Sequence, residues 1–136
     1  MGKIKRYKDN NDGTITDNYT GLMWVKDGES VGCNSGKALT WKEAVSFCKK
    51  LNYADYDDWR LPDLEDLLSI ADNTKYDLAI DVIFINTNGD FYWTSTTVTK
   101  KPTNAWTVLF TLGGLGVNKH KAASHYVRPV RGIMII

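Results

Sequence analysis

The sequence predicts an α+β fold, with two helices packed on antiparallel sheets, in a single domain spanning residues 1–136. Three observations carry that expectation. Apolar residues recur at helical spacing only between Trp41 and Ala71, and from Phe91 onward they alternate with polar or small residues. The strand–helix–strand alternation that builds a parallel sheet does not occur. At 136 residues and 43% apolar content the chain has material for one packed core and no surplus for a second.

The elements follow in order. Ile4 to Tyr7 and Thr14 to Thr16 read as strands joined through Asp12-Gly13, a pair that tolerates the positive φ a tight hairpin demands. A second turn at Thr20-Gly21 leads into a short apolar strand ending at Val25, then a Gly- and Ser-rich loop from Lys26 to Lys37. Thr40-Trp-Lys-Glu43 is a capping box, in which the hydroxyl and the carboxylate each satisfy an orphan N–H. Behind it Trp41, Ala44, Val45, Cys48 and Leu51 form the inner stripe of a helix that leaves Lys42, Lys49 and Lys50 in water.

Pro62 suits the first position of a second helix, with Asp63, Glu65 and Asp66 near its positive end and Leu64, Leu67, Leu68 and Ala71 facing inward. Ile80 to Ile85 is a short apolar run that periodicity assigns neither to helix nor to strand. Phe91 and Trp93, then Trp106, Val108 and Phe110, alternate as strands do. Gly113-Gly114-Leu115-Gly116 breaks the pattern, so Ala105–Thr111 and the stretch near Val117 read as a hairpin, followed by a loop from Lys119 to Ser124 and a β-rich close from Tyr126 to Ile136.

Charge is distributed unevenly. From Phe91 to Ile136 there is no Asp or Glu but six cations, Lys100, Lys101, Lys119, Lys121, Arg128 and Arg131, whereas residues 1–90 carry 11 basic and all 16 acidic groups. Six cations over 46 residues are sparse for nucleic acid, and no nucleic-acid motif accompanies them. No run approaches the roughly 20 apolar residues of a membrane span, and the first residues lack the apolar stretch of a secretory signal. Cys33 and Cys48 are too few for a disulfide framework and leave the compartment open.

Enzyme signatures are missing: no Gly-x-Ser-x-Gly elbow, no His-x-x-x-His pair, no phosphate-cradling Gly loop, and only His120 and His125 as histidines. The expectation is therefore no catalytic residue and no metal ligand. Asp9-Asn-Asn-Asp-Gly-Thr has the oxygen-rich character of a calcium loop. Its Gly falls one place early and no bidentate acid follows, so a hairpin turn explains it better and no cofactor is expected, calcium having only weak support.

Three separated blocks carry a family resemblance: Asn11-Asp-Gly-Thr-Ile-Thr-Asp-Asn-Tyr-Thr-Gly-Leu-Met-Trp24, Asp58-Trp-Arg-Leu-Pro62, and Tyr126-Val-Arg-Pro-Val-Arg-Gly132. In order and spacing the chain resembles the Lcl C-terminal domain family of bacterial and phage proteins. The resemblance implies a C-type-lectin-like fold with N- and C-terminal strands paired, here Ile4–Tyr7 with the apolar end Gly132–Ile136. It implies an adhesive or ligand-binding role at a bacterial surface or on a phage particle, and by analogy a trimer. Members of the family often carry Cys where this chain has Pro129, and in the fold a disulfide commonly joins the first helix to the last strand. Here Cys48 has no such partner, and either it pairs with Cys33 or both are free.

On this reading Trp24, Trp41, Trp59, Arg60, Pro62, Arg128 and Arg131 are structural: a buried Trp59 beside an Arg60–carboxylate pair fixes the neck of the second helix, and one of Arg128 and Arg131 braces the core through a carboxylate. The binding site is expected in the acid-free final third. Lys100 and Lys101 in one loop, with Lys119, His120 and Lys121 in another, would attract sulfate, phosphate or carboxylate, while Trp106 and Tyr126, with Trp93, supply flat surfaces for sugar rings. The expected partner is an anionic glycan or a cell-surface protein. The rival reading is a variable receptor-binding protein of the phage or diversity-generating-retroelement type. A third, an enzyme on the related formylglycine-generating fold, lacks the C-terminal cysteine pair such chemistry uses.

Overall fold

The computed structural model describes residues 5–75, 78–111 and 113–135. Among the described residues nine strands, β1 (Tyr7–Asp9), β2 (Thr14–Asp17), β3 (Met23–Val25), β4 (Leu39–Thr40), β5 (Phe91–Thr97), β6 (Asn104–Leu109), β7 (Leu115–His120), β8 (Ser124–His125) and β9 (Val130–Arg131), accompany two α-helices, α1 (Trp41–Lys50) and α2 (Leu64–Ser69). All strand pairings are antiparallel, in three sheets ordered β1-β2-β3-β9, β4-β8 and β5-β6-β7. The α+β architecture expected from the periods is the one observed.

The first hairpin forms because Asp12 locks the turn. Its Oδ1 accepts from Thr14 N at 3.0 Å and from the Thr14 hydroxyl, while Gly13 takes φ +90. Asp9, the other carboxylate of the oxygen-rich stretch, pairs with Lys26 Nζ at 2.6 Å. Helix α1 starts as expected, with Thr40 and Glu43 exchanging both bonds of the capping box, and it turns Ala44 and Cys48 inward.

Several expectations need correction. Pro62 precedes α2 rather than opening it. Asp63 is the N-cap and exchanges a second capping box with Asp66, so the helix opens at Leu64, two residues later than a proline start would place it. Leu68 lies 36% exposed, because a helix of six residues buries one stripe only, and Leu67 with Ile70 fills it. Between Ile80 and Ile85 the backbone makes isolated bridges, Ala71 with Ile80 and Asp27 with Ile85, so Ile80 and Phe84 enter the core as irregular chain while Val82 stays in water.

The sheet edges also differ. The N- and C-terminal strands share a sheet but do not pair: β1-β2-β3 is a meander, so β9 reaches β3 through Met23↔Arg131 and Trp24↔Val130 and lies at the opposite edge from β1. Ile4 and Ile136, which the terminal pairing invoked, fall outside the described residues. Beyond β9 the chain is held at Gly132, whose carbonyl accepts from Arg60, and at Ile135, whose N–H donates to Thr20 O at 2.7 Å, and it leaves Ile133 exposed. The glycine turn is shorter than expected, so Leu115 and Gly116 already belong to β7, and Lys119 and His120 end that strand instead of opening a loop.

The main core gathers Ile15, Leu22, Trp24, Leu67, Ile70, Tyr92, Val108 and Phe110; a second cluster joins Ala44 and Cys48 of α1 to Trp93 and Val127. Burial of this many large apolar groups is the dominant favourable contribution to such a fold. Trp24 is fully buried and meets Phe84 edge-on, with ring centroids 6.5 Å apart. Trp59 is buried against Tyr53 and Tyr56, and its indole donates to Tyr53 O at 3.1 Å.

Ion pairs tie the C-terminal segment down. Arg60 Nη1 donates to Asp66 Oδ2 at 2.6 Å, and its other nitrogens reach Gly132 O, joining the neck of α2 to the last turn. Arg131 makes a two-point pair with Asp58, which holds that carboxyl below its usual range. Of the two arginines in the last segment, the buried one is Arg128, and it braces the core without a carboxylate. Its Nη1 donates to Val25 O and Lys26 O at 2.7 and 2.8 Å, and its Nη2 to Thr87 Oγ1 at 2.8 Å. Arg128 precedes β9 and turns inward, whereas Arg131 within β9 turns out to Asp58, so the two do not share one strand as expected.

Cys33 and Cys48 are both buried, free thiols. Burial pushes the Cys33 thiol up to about 12 and raises Cys48 as well, so both are held protonated at neutral pH.

Candidate functional site

The two basic loops meet at one end of the β5-β6-β7 sheet because β6 starts and β7 ends there, with Asn104 opposite His120. Lys121 is the hub of that end. Its backbone N–H donates to Thr103 O at 2.9 Å and its carbonyl accepts from Trp41 N at 3.1 Å, so one residue clasps the start of β6 to the start of α1. Its side chain turns the same way: Nζ lies 4.1 Å from the centroid of the Trp41 ring and donates to Thr97 Oγ1 at 3.0 Å.

Trp41 is held flat by its own indole, which donates to Thr94 O at 2.9 Å across 53 residues of sequence. Around it Thr40, Lys42, Thr103, His120, Lys121 and Ala122 complete a shallow cleft of about 570 Å³. Its walls are mainly apolar, its rim carries two ammonium groups, and no carboxylate lines it. Glu43, one turn into α1, is engaged with Thr40: its carboxylate accepts from Thr40 N and Oγ1, both at 2.9 Å, and these bonds hold it below the usual range. His120 is oriented by Ala122 N, which donates to its Nδ1 at 3.0 Å and leaves Nε2 as the outward atom.

The residues expected to bind are divided by this geometry. His120 and Lys121 line the cleft; Lys100 and Lys101 are exposed on the adjoining β5–β6 loop. Lys119 faces the other way along its strand and places its ammonium 4.1 Å from the Phe91 ring centroid. Trp106 lies on the opposite face of the sheet from Lys119, paired with Asn118, and is half-buried. Tyr126 packs against Tyr92 with centroids 5.9 Å apart, at the margin of a different cavity, and Trp93 is fully buried and offers no surface. Trp41 and Lys42 are the cleft residues that the sequence reading assigned to scaffold or to the wet side of a helix. Their chain distance from Lys121 left no local signal.

His125, on β8, is wedged between Phe91 and Trp93 at centroid distances of 5.3 and 4.9 Å. Burial lowers its pKa, with Asp90 opposing and Lys119 reinforcing that shift. Its Nε2 is buried without a partner.

A sequence model of the Lcl C-terminal domain matches residues 13–131. The chain belongs to the Lcl C-terminal domain family. The span matched to the Lcl C-terminal domain runs from the β1–β2 turn through both helices to the end of β9, so the whole Trp41–Lys121 cleft lies inside it. No curated protein has a matching sequence. Among the described residues of this Lcl C-terminal domain, no group of three or more His, Cys, Asp or Glu side chains is placed to hold a metal ion, and no helix is long and apolar enough to cross a membrane.

Proposed function

We propose that this Lcl C-terminal domain is a C-type-lectin-like, non-enzymatic adhesion module that binds an anionic glycan at the Trp41–Lys121 cleft. The observation that carries the reading is the pairing of a flat, half-buried indole with ammonium groups of Lys42 and Lys121 in a cleft without carboxylates. A sugar ring stacks its C–H face on an indole, and a sulfate or carboxylate beside that ring meets the cations. The lysines of the neighbouring β5–β6 loop, Lys100 and Lys101, extend the same field along a longer chain.

Two helices beside antiparallel sheets, together with the family membership, support the lectin-like reading of the fold. A binding role fits the state of the reactive groups better than catalysis does. Both thiols are buried and protonated, His125 is wedged among aromatic rings, and His120 has its Nδ1 engaged by the Ala122 N–H.

The test is retention on a heparin-like sulfated polysaccharide across a salt gradient, for the unaltered domain and for Lys42→Glu combined with Lys121→Glu. Binding that weakens with salt and is lost in the double variant is the expected result. Retention unchanged by the double reversal, in a variant whose circular dichroism matches the parent, refutes the reading.

A further inference from the structure

Arg128 does more than brace the core, because its bonds occupy Nη1 and Nη2 but leave Nε unpartnered and the charge unbalanced. The side chain is fully buried. Its bonded acceptors are the carbonyls of Val25, Lys26 and Ile85 and the hydroxyl of Thr87, all neutral, and the rings of Phe84 and Tyr92 face it at 5.4 and 6.0 Å. No carboxylate pairs with it among the described residues, and Nε has no partner at all. Asp27, close in the chain to these carbonyls, gives its Oδ1 to Glu29 N and Asn86 Nδ2 instead. A buried guanidinium without an anion is an unfavourable arrangement unless something outside the chain supplies one.

A cavity adjoins it. Gly28, Glu29, Asn86, Thr87, Asn88 and Tyr126 contribute to a polar recess of about 380 Å³, the size of a single small molecule. One lining residue bonds the guanidinium directly, Thr87, which accepts from Nη2; Gly28 lies beside it, where an added Cβ would stand 3.1 Å from Nη2 and collide with Asn86 O. Gly28 has no left-handed backbone to explain it. Its missing side chain is required by close approach, and it leaves the charge of Arg128 covered on that side by backbone alone.

We propose that this recess is a binding site for a small polar molecule carrying an oxyanion, attracted by Arg128 through the wall formed by Gly28 and Thr87. Glu29, at the rim, opposes entry and makes the site selective for a compact anion that reaches past it. The site is separate from the Trp41–Lys121 cleft and does not depend on the function proposed for it.

The experiment is a ¹H–¹⁵N NMR titration with sodium acetate and with sodium sulfate, each against sodium chloride at matched ionic strength. Saturable shifts at the Gly28, Thr87 and Gly89 amides and at Arg128 Nε–H are expected with at least one oxyanion and not with chloride; the probe that saturates separates carboxylate from sulfate chemistry. Two variants that leave the core intact bracket the effect. Asn88→Asp keeps the acceptor used by Asp90 N at 2.8 Å but adds a negative charge, and should weaken binding about fivefold, whereas Glu29→Gln should tighten it by a similar factor. Lys121→Glu should change nothing at this site. Absence of saturable shifts, insensitivity to both rim variants, or shifts confined to Lys100, Lys101 and Lys121 overturns the proposal.

Discussion

The ammonium of Lys121 rests 4.1 Å from the centre of the Trp41 ring while its backbone carbonyl accepts the Trp41 N–H, so both ends of one lysine hold the start of α1 against the end of the β5-β6-β7 sheet. Lys121→Met keeps the aliphatic stem over the indole and removes the charge and the bond to Thr97. In a partly exposed setting that should cost about 1 kcal/mol of stability, measured by urea unfolding, and should weaken polyanion binding much more than it weakens the fold. Equal loss of both would mean that Lys121 is scaffold alone.

Asp66 makes three bonds to two partners: its carboxylate accepts from Asp63 N, its own N–H donates to the Asp63 carboxylate, and Arg60 donates to it at 2.6 Å. Because its carboxylate is nearly inaccessible and its Oδ2 already accepts from both Asp63 N and Arg60 Nη1, Asp66→Asn leaves both donors on a neutral amide oxygen and removes the charge assistance. The expected loss is about 2 kcal/mol in urea unfolding, and Arg60→Gln added to it should cost less than Arg60→Gln alone, because the shared pair is already lost and only the bonds to Gly132 O remain to be removed. A fully additive double variant would contradict the shared-pair reading.

The thiols give a prediction about redox and exposure. Cys33 and Cys48 are buried and unbonded, and desolvation keeps them protonated. A thiol reagent should therefore label the native domain no faster than the chain opens, and a reductant should leave Tm unchanged. Rapid labelling of the native protein, or a Tm lowered by reductant, would count against this account.

His125 should make stability depend on pH near neutrality. Burial lowers its pKa in the folded state, so the unfolded chain, with a histidine near the ordinary value of about 6.5, binds the proton first. Stability is full above about pH 6.5 and declines as pH falls toward the folded-state value. The lowered carboxyls of Asp9, Glu43 and Asp58 act in a separate window, below about pH 5. His125→Phe should flatten the midpoint of urea unfolding between pH 5.5 and 7; an unchanged slope would place the effect elsewhere.

Local chemistry was legible in the chain wherever a few neighbouring residues decide the outcome. The Thr40–Glu43 capping box and the Asp12-Gly13 turn form as their side chains require, and β6 forms as a strand although it is buried on both faces rather than alternating. Long-range pairing was not legible. Nothing near Val130 says that it meets Trp24 rather than the N-terminal strand, because register there depends on the β1-β2-β3 meander filling the other edges first. The same limit governed the cleft: His120 and Lys121 stand out in the acid-free third, but Trp41 and Lys42 join them only through contacts spanning the fold. Arg128 illustrates a third limit, since a buried arginine satisfied by carbonyls looks in sequence like one awaiting a carboxylate.

The cleft itself is tested most directly by following the Trp41 indole N–H resonance while a sulfated disaccharide is added at constant ionic strength. This account predicts a saturable shift of that resonance, accompanied by the Lys121 and Thr103 amides and abolished in Lys42→Glu/Lys121→Glu. Saturable binding that moves none of these three, and maps instead to another face of the domain, would contradict it.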